Sequence, residues 1–123
     1  SDIAEIIPHL VTVRKERDPA VSQAIAMGRK AYQMILDAMD ALTAEDEIAA
    51  RRVIAADDAV DYDFNSIKRM LAAEIAADPS KVDAALDVLM VIKYLERIGD
   101  HAVNIAEWVE FLRTGRYHHE KMF

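Results

Sequence analysis

The sequence predicts an all-α domain: an antiparallel, up-down-up three-helix bundle preceded by a short N-terminal helix or arm. Three observations carry that prediction. Ala, Leu, Ile and charged residues dominate, while Gly and Pro number three each, a balance that favours helix over sheet. Helix-start signals recur at Asp18-Pro19, at Thr43-Ala44-Glu45-Asp46 and at Asp78-Pro79. Between them, apolar residues return at alternating steps of three and four, the spacing of one helical face. The chain has 123 residues, 53 % of them apolar, which is enough for one packed core and too little for two ordinary ones.

The elements follow in order. In residues 1–17, Ile3, Ile7 and Leu10 suggest an amphipathic turn or two interrupted by Pro8, and Arg14, Lys15, Glu16 and Arg17 read as solvated. This segment is expected to pack on the bundle or on a neighbouring copy. The bundle itself occupies 18–116, with helical segments over roughly 19–42, 44–77 and 79–114. Asp18 and Asp78 are N-cap residues, each followed by a Pro at the first helical position. Thr43 and Asp46 form a hydroxyl–carboxylate pair of the capping-box type. Gly115 marks a stop, and 117–123 form a tail.

The first helix carries its seam on Val21, Ile25, Gly28, Tyr32, Ile35, Met39 and Leu42. The second has Val53, Ala56, Val60, Phe64, Ile67 and Leu71. The third has Val88, Val91, Leu95, Ile98, Ala102, Ile105, Val109 and Leu112. Such seams let long helices pack side by side at shallow angles, and short joining loops make neighbours antiparallel. Leu86, Leu89 and Ile92 fall outside the third seam, so that helix has a wide apolar surface and a homodimer is expected.

Charge and composition exclude several roles. A net charge of −7 repels a phosphate backbone and an anionic membrane surface. There is no Cys, so disulfides and thiolate metal sites are excluded. No apolar run is long enough to span a bilayer, and no signal-peptide pattern opens the sequence.

Two polar ladders remain. Asp57, Asp61 and Asn65 recur at steps of four on the second helix, and Glu96, Asp100 and Asn104 do so on the third. Residues four apart are stacked neighbours, about 5–6 Å between Cβ atoms. On the third-helix seam frame the ladder tilts toward the outer face. Solvated outer carboxylates satisfy this spacing, since like charges four apart cost only ~0.2–0.5 kcal/mol. A cation site satisfies it too: four carboxylates and an amide oxygen suit a hard or borderline ion such as magnesium, calcium, manganese or iron. Gly99 interrupts the third helix at a cost of ~1 kcal/mol against Ala, which points to close approach of a backbone or a ligand.

Other candidates are weaker. No His follows a Glu by three, so the di-iron bundle pattern is missing. His101 reads as a surface residue, Trp108 as packing, and His118 and His119 as tail residues. Met27, Met34, Met39, Met70 and Met90 read as core or interface filling. No phosphate loop, nucleophile elbow or Ser/His/Asp ordering is present, so no enzyme is expected.

The stretch "YLERIGDHAVNIAEWV", residues 94–109, closely resembles the signature of the PhoU family, accessory regulators of phosphate uptake. "IAADDAVDYDFNSIKRMLAAEIAADP" resembles the family's other motif region, and "AMGRKAYQMILDAMDAL" is similar to its first helix. The resemblance covers about residues 20 to 116. It implies two tandem three-helix repeats in a full-length protein, of which this chain looks like the C-terminal one. Either an excised half or a single-repeat relative is expected. It implies paired acidic motifs that hold multinuclear metal clusters, matched here by Asp57-x-x-x-Asp61 and Glu96-x-x-x-Asp100, with Asn104 adjoining. Iron, zinc, manganese and magnesium are the metals this suggests. It further implies a cytoplasmic, non-enzymatic adaptor between a phosphate ABC transporter ATPase and a sensor histidine kinase, repressing the starvation response. A metal-dependent enzyme or storage bundle and a purely structural dimerising domain are the alternatives.

Overall fold

The computed structural model describes residues 18–114. The expectations for residues 1–17, for Gly115 and for the tail lie outside the described residues. Within them the chain forms three helices: α1 (Pro19–Ala44), α2 (Glu47–Ala77) and α3 (Val82–Thr114), with a short 3-10 turn at Pro79–Lys81 before α3. All three pairs of helices pack against one another, as in the predicted bundle.

The ends obey local chemistry. Asp18 caps α1, its carboxylate accepting from Ala20 N at 2.9 Å and Val21 N at 3.2 Å, and Pro19 sacrifices no donor that the first turn would have used. The start of α2 differs from expectation. Thr43 lies inside α1 and donates its hydroxyl to Met39 O at 3.0 Å, while Asp46 is the cap, accepting from Ala49 N at 3.1 Å. The reversal therefore occupies only Glu45 and Asp46. Glu45 takes a left-handed backbone, φ 52°, and its N–H and that of Asp46 reach back to Leu42 O and Ala41 O, which satisfies carbonyls left open by the helix end. Asp78 accepts from Ser80 N at 3.1 Å and Ser80 Oγ at 2.7 Å. Those bonds, aided by the Lys81 charge, hold its carboxyl below the usual range.

The core corrects two of the three seams. In α1 the buried stripe is Ala20, Ala24, Met27, Ala31, Met34, Ala38 and Ala41, with Val21 the one residue shared with the expected seam. Tyr32 is 64 % exposed and Met39 53 %, and Ile25, Gly28 and Ile35 are half-buried. The reason is size. Alanines let α1 approach its neighbours closely, so the bundle buries the small stripe and leaves the bulkier one at the margin. In α3 the stripe runs through Ala85, Val88, Val91, Ile92, Leu95, Gly99, Ala102, Val103, Ala106 and Val109, so Val88, Val91, Leu95, Ala102 and Val109 of the expected seam are buried. Ile98 and Ile105 only flank it, Leu112 is exposed, and Ile92 is fully buried. Of the methionines, Met27 and Met34 are core, Met70 flanks the core, and Met39 and Met90 are exposed. The α2 seam stands except at one position: Ala56 is exposed, and the inward place between Val53 and Val60 falls to Asp57.

Contacts across the helices fix their heights. Gly28 faces Leu95, and Gly99 faces Met34, Asp57 and Val60. Lys93 Nζ lies 5.3 Å from the Phe64 ring centre. Thus α1 and α3 run parallel, and α2 runs against both.

Candidate metal centre

The two acidic pairs sit where α2 meets α3. Phe64 and Lys93 are level. Three residues back along α2 is Asp61 and three forward along α3 is Glu96; one further turn in each direction brings Asp57 and Asp100. Antiparallel helices rise equally, so Asp61 matches Glu96, and Asp57 matches Asp100 about 6 Å further along. On α2, Asp63 faces α1 through Gln23 and Lys30, and Asp61 lies on the other flank, toward α3.

Asp57 is the member whose environment the sequence misjudged. It is turned inward rather than outward: its Oδ1 is buried, and a Cβ placed on Gly99 would stand 3.1 Å from that oxygen. The glycine is therefore the space that admits the carboxylate, which answers why a helix interior keeps a Gly. Asp61, Glu96, Asp100 and Asn104 are half-buried along the groove. Glu96 pairs with Lys93 at 3.5 Å, an exposed contact of little energetic consequence. Asn65 is exposed and donates its amide to Asp61 O at 3.0 Å. Among the described residues no three His, Cys, Asp or Glu side chains stand together in the arrangement a cation requires. What the fold supplies is a matched register, an all-oxygen donor set and a cradle at Gly99. His101 is exposed on α3. Trp108 is 38 % exposed, its ring 5.3 Å from that of Phe111.

Three buried acids escaped the sequence reading. Asp63 is 3 % exposed and bridges α2 to α1: it accepts from Lys30 Nζ at 2.8 Å and Gln23 Nε2 at 3.0 Å, and Ser66 donates to Gln23 at 3.2 Å. Its signal was available, since Gln23 and Lys30 are seven apart and share a face. Glu107 and Glu110 are buried on α3 at 1 % and 2 %. Their positions beside Val103 and Ala106 place them near the core, but carboxylates there run against the hydropathy pattern.

Fold and site together define an all-α, three-helix bundle with opposed acidic pairs on antiparallel neighbours. The family model described as PhoU domain matches residues 25–109. A phosphate-specific transport system accessory protein PhoU homolog of Caulobacter vibrioides is 38 % identical over 117 residues, covering 93 % of this chain and 51 % of that protein. Its counterpart in Clostridium acetobutylicum is 37 % identical over 115 residues, covering 94 % and 52 %. A third, in Pseudomonas aeruginosa, is 35 % identical over 89 residues, covering 72 % and 37 %. No solved structure matches the chain significantly. The chain belongs to the PhoU family, and it spans about half the length of the curated relatives it matches most fully.

Proposed function

We propose that this chain is a metal-binding, non-enzymatic regulator of phosphate uptake and of phosphate-starvation signalling. It works as an adaptor between the ATPase of a phosphate ABC transporter and a sensor histidine kinase, in the cytoplasm and as a homodimer. Support for the transport role is the likeness to relatives named as accessory proteins of the phosphate-specific transport system. No helix among the described residues is long and apolar enough to cross a membrane.

The observation that carries the metal reading is the register of the acidic pairs. Asp57 and Asp61 stand level with Asp100 and Glu96, and Gly99 leaves room for a carboxylate between the helices. A divalent or trivalent ion such as iron, zinc, manganese or magnesium would be held by these four carboxylates, with Asn104 adding an amide oxygen. It would supply positive charge that relieves their mutual repulsion and ties α2 to α3. Side-chain rotation about the half-buried Asp61, Glu96 and Asp100 is the movement required.

Two measurements test this reading. Adding manganese or zinc to chelator-treated protein is expected to raise the melting temperature, because an ion bound only by the native state stabilises it. Asp100→Ala is expected to lose that response and to lower the metal content found by elemental analysis. A melting temperature indifferent to every ion would remove the metal reading. The adaptor reading predicts that the immobilised chain retains the transporter ATPase, and absence of retention under both metal-loaded and chelated conditions would refute it.

A further inference from the structure

Each acidic ladder continues into a lysine on its side nearer the α2–α3 turn. Lys68 follows Asp61 by seven residues on α2, and Lys93 precedes Asp100 by seven on α3. Seven residues are close to two helical turns, so each lysine stands on the stripe of its own ladder. Both reach the same side chain. Lys68 Nζ lies 5.5 Å from the Phe64 ring centre, and Lys93 Nζ lies 5.3 Å from it. Lys68 sits one turn beyond Phe64 and leans back onto it, as long helical side chains do, whereas Lys93 arrives from the neighbouring helix. Phe64 is 8 % exposed beneath them, and both lysines are exposed. Two ammonium groups on one ring repel each other, and an exposed cation–π contact offsets little of that. An anion held between them turns the repulsion into attraction. On the acidic side the same spot is bordered by Glu96, whose carboxylate is 3.5 Å from Lys93 Nζ, with Asp61 at the level of Glu96.

We propose that Lys68 and Lys93 bind a protonated tetrahedral oxyanion, inorganic hydrogen phosphate, above the Phe64 ring, with Glu96 accepting a hydrogen bond from its protonated oxygen. The donor set selects this ligand. An ammonium group only donates hydrogen bonds and an ionised carboxylate only accepts them. A site that offers both suits an anion carrying both bare and protonated oxygens. Phosphate keeps a proton near neutral pH and sulfate does not, so the carboxylate rewards the first and repels the second. A nucleotide fits less well, because the buried Phe64 ring has no open face on which a base could stack. The acidic pairs give the site a second property. In a chain of net charge −7, the carboxylates of Asp57, Asp61, Glu96 and Asp100 oppose an anion beside them, and a cation held there offsets the opposition. Cation and phosphate therefore each raise the affinity for the other, by the same factor. The inference deepens the proposed function by naming phosphate itself as a ligand, and it rests on the metal reading for this coupling alone.

Inorganic phosphate titrated into the chelator-treated full chain at low salt tests the site, read by calorimetry and by the NMR shifts of the Phe64 ring protons. Binding in the millimolar range is expected, with sulfate at equal ionic strength at least tenfold weaker. Lys68→Ala and Lys93→Ala, both at exposed positions and so compatible with folding, are each expected to weaken phosphate at least fivefold while the circular dichroism spectrum stays unchanged. Arg52→Ala, which removes the same charge at an exposed position elsewhere on α2, is expected to change it less than twofold. Glu96→Gln is expected to narrow the preference for phosphate over sulfate. With magnesium present, phosphate is expected to bind at least threefold more tightly. An affinity indifferent to magnesium overturns the coupling and leaves the anion site standing. No phosphate binding in either condition overturns the anion site, even where the melting temperature responds to metal. Binding that survives both lysine substitutions overturns the location, and sulfate or ATP held as tightly as phosphate overturns the choice of ligand.

Discussion

Placing a methyl group at Gly99 tests the inward carboxylate directly. In an ordinary helix interior, Gly→Ala stabilises by ~1 kcal/mol. Here the new Cβ would stand 3.1 Å from Asp57 Oδ1, against 3.6 Å from Val60 Cγ1 and 3.9 Å from Met34 Sδ. The last two are normal contacts, so the crowding falls on one oxygen. Moving that carboxylate off its rotamer costs about 0.5–1.5 kcal/mol, which cancels the helical gain and leaves Gly99→Ala close to neutral. In an Asp57→Ala background the oxygen is gone and the same change is expected to stabilise by about 1 kcal/mol. The coupling in this double-mutant cycle is therefore about 1 kcal/mol, above the ~0.3–0.5 kcal/mol within which independent sites add. Urea denaturation of the four proteins in chelator measures it. Equal effects of Gly99→Ala in both backgrounds would refute the assignment of Gly99 as the space for Asp57.

Three further outcomes are expected. Lys30→Ala should destabilise by about 1–3 kcal/mol in denaturant titrations, since it leaves the Asp63 carboxylate buried with only Gln23 among its two recorded side-chain partners; the half-exposed lysine keeps the loss below that of a fully buried pair. Adding Asp63→Asn should recover part of it. Glu45→Gly should stabilise by about 0.5 kcal/mol, the relief of a left-handed residue less the entropy a glycine adds to the unfolded chain. Asp78 should titrate below the ordinary carboxylate range by NMR, and Ser80→Ala should raise its midpoint; because the folded pKa is depressed, its contribution is present above the unfolded value and disappears as pH falls through the folded one.

How far the sequence could be read depended on what each position asked of its residue. Asp18 and Asp78 announce themselves because a cap followed by Pro has few other uses; Asp18 caps α1 as expected, whereas Asp78 caps the 3-10 turn Pro79–Lys81 that leads into α3 at Val82. The same reasoning misplaced Thr43, since hydroxyl–carboxylate spacing also occurs inside a helix where the hydroxyl bonds back one turn. The α1 seam was misread because periodicity weighs large side chains, and this bundle closes on alanines. The inward turn of Asp57 is hidden for a related reason: hydropathy sends a carboxylate to solvent unless the partner surface is known, and that surface is a glycine on another helix. The level pairing of Asp61 with Glu96, by contrast, is open to counting: they lie 17 residues before and 18 after position 78, and antiparallel helices leaving one tight turn rise equally.

The parallel pairing of α1 with α3 has a kinetic side. Each hairpin, α1 with α2 and α2 with α3, is closed by a reversal of a few residues, so its contacts begin close in sequence and zip away from the turn. The Gly28–Leu95 and Met34–Gly99 contacts instead join segments separated by all of α2. Bringing such distant segments together carries the larger chain-closure entropy. The order this predicts is two hairpins first and the packing of α1 on α3 last, with φ-values at Gly28 and Leu95 near zero as the expected outcome.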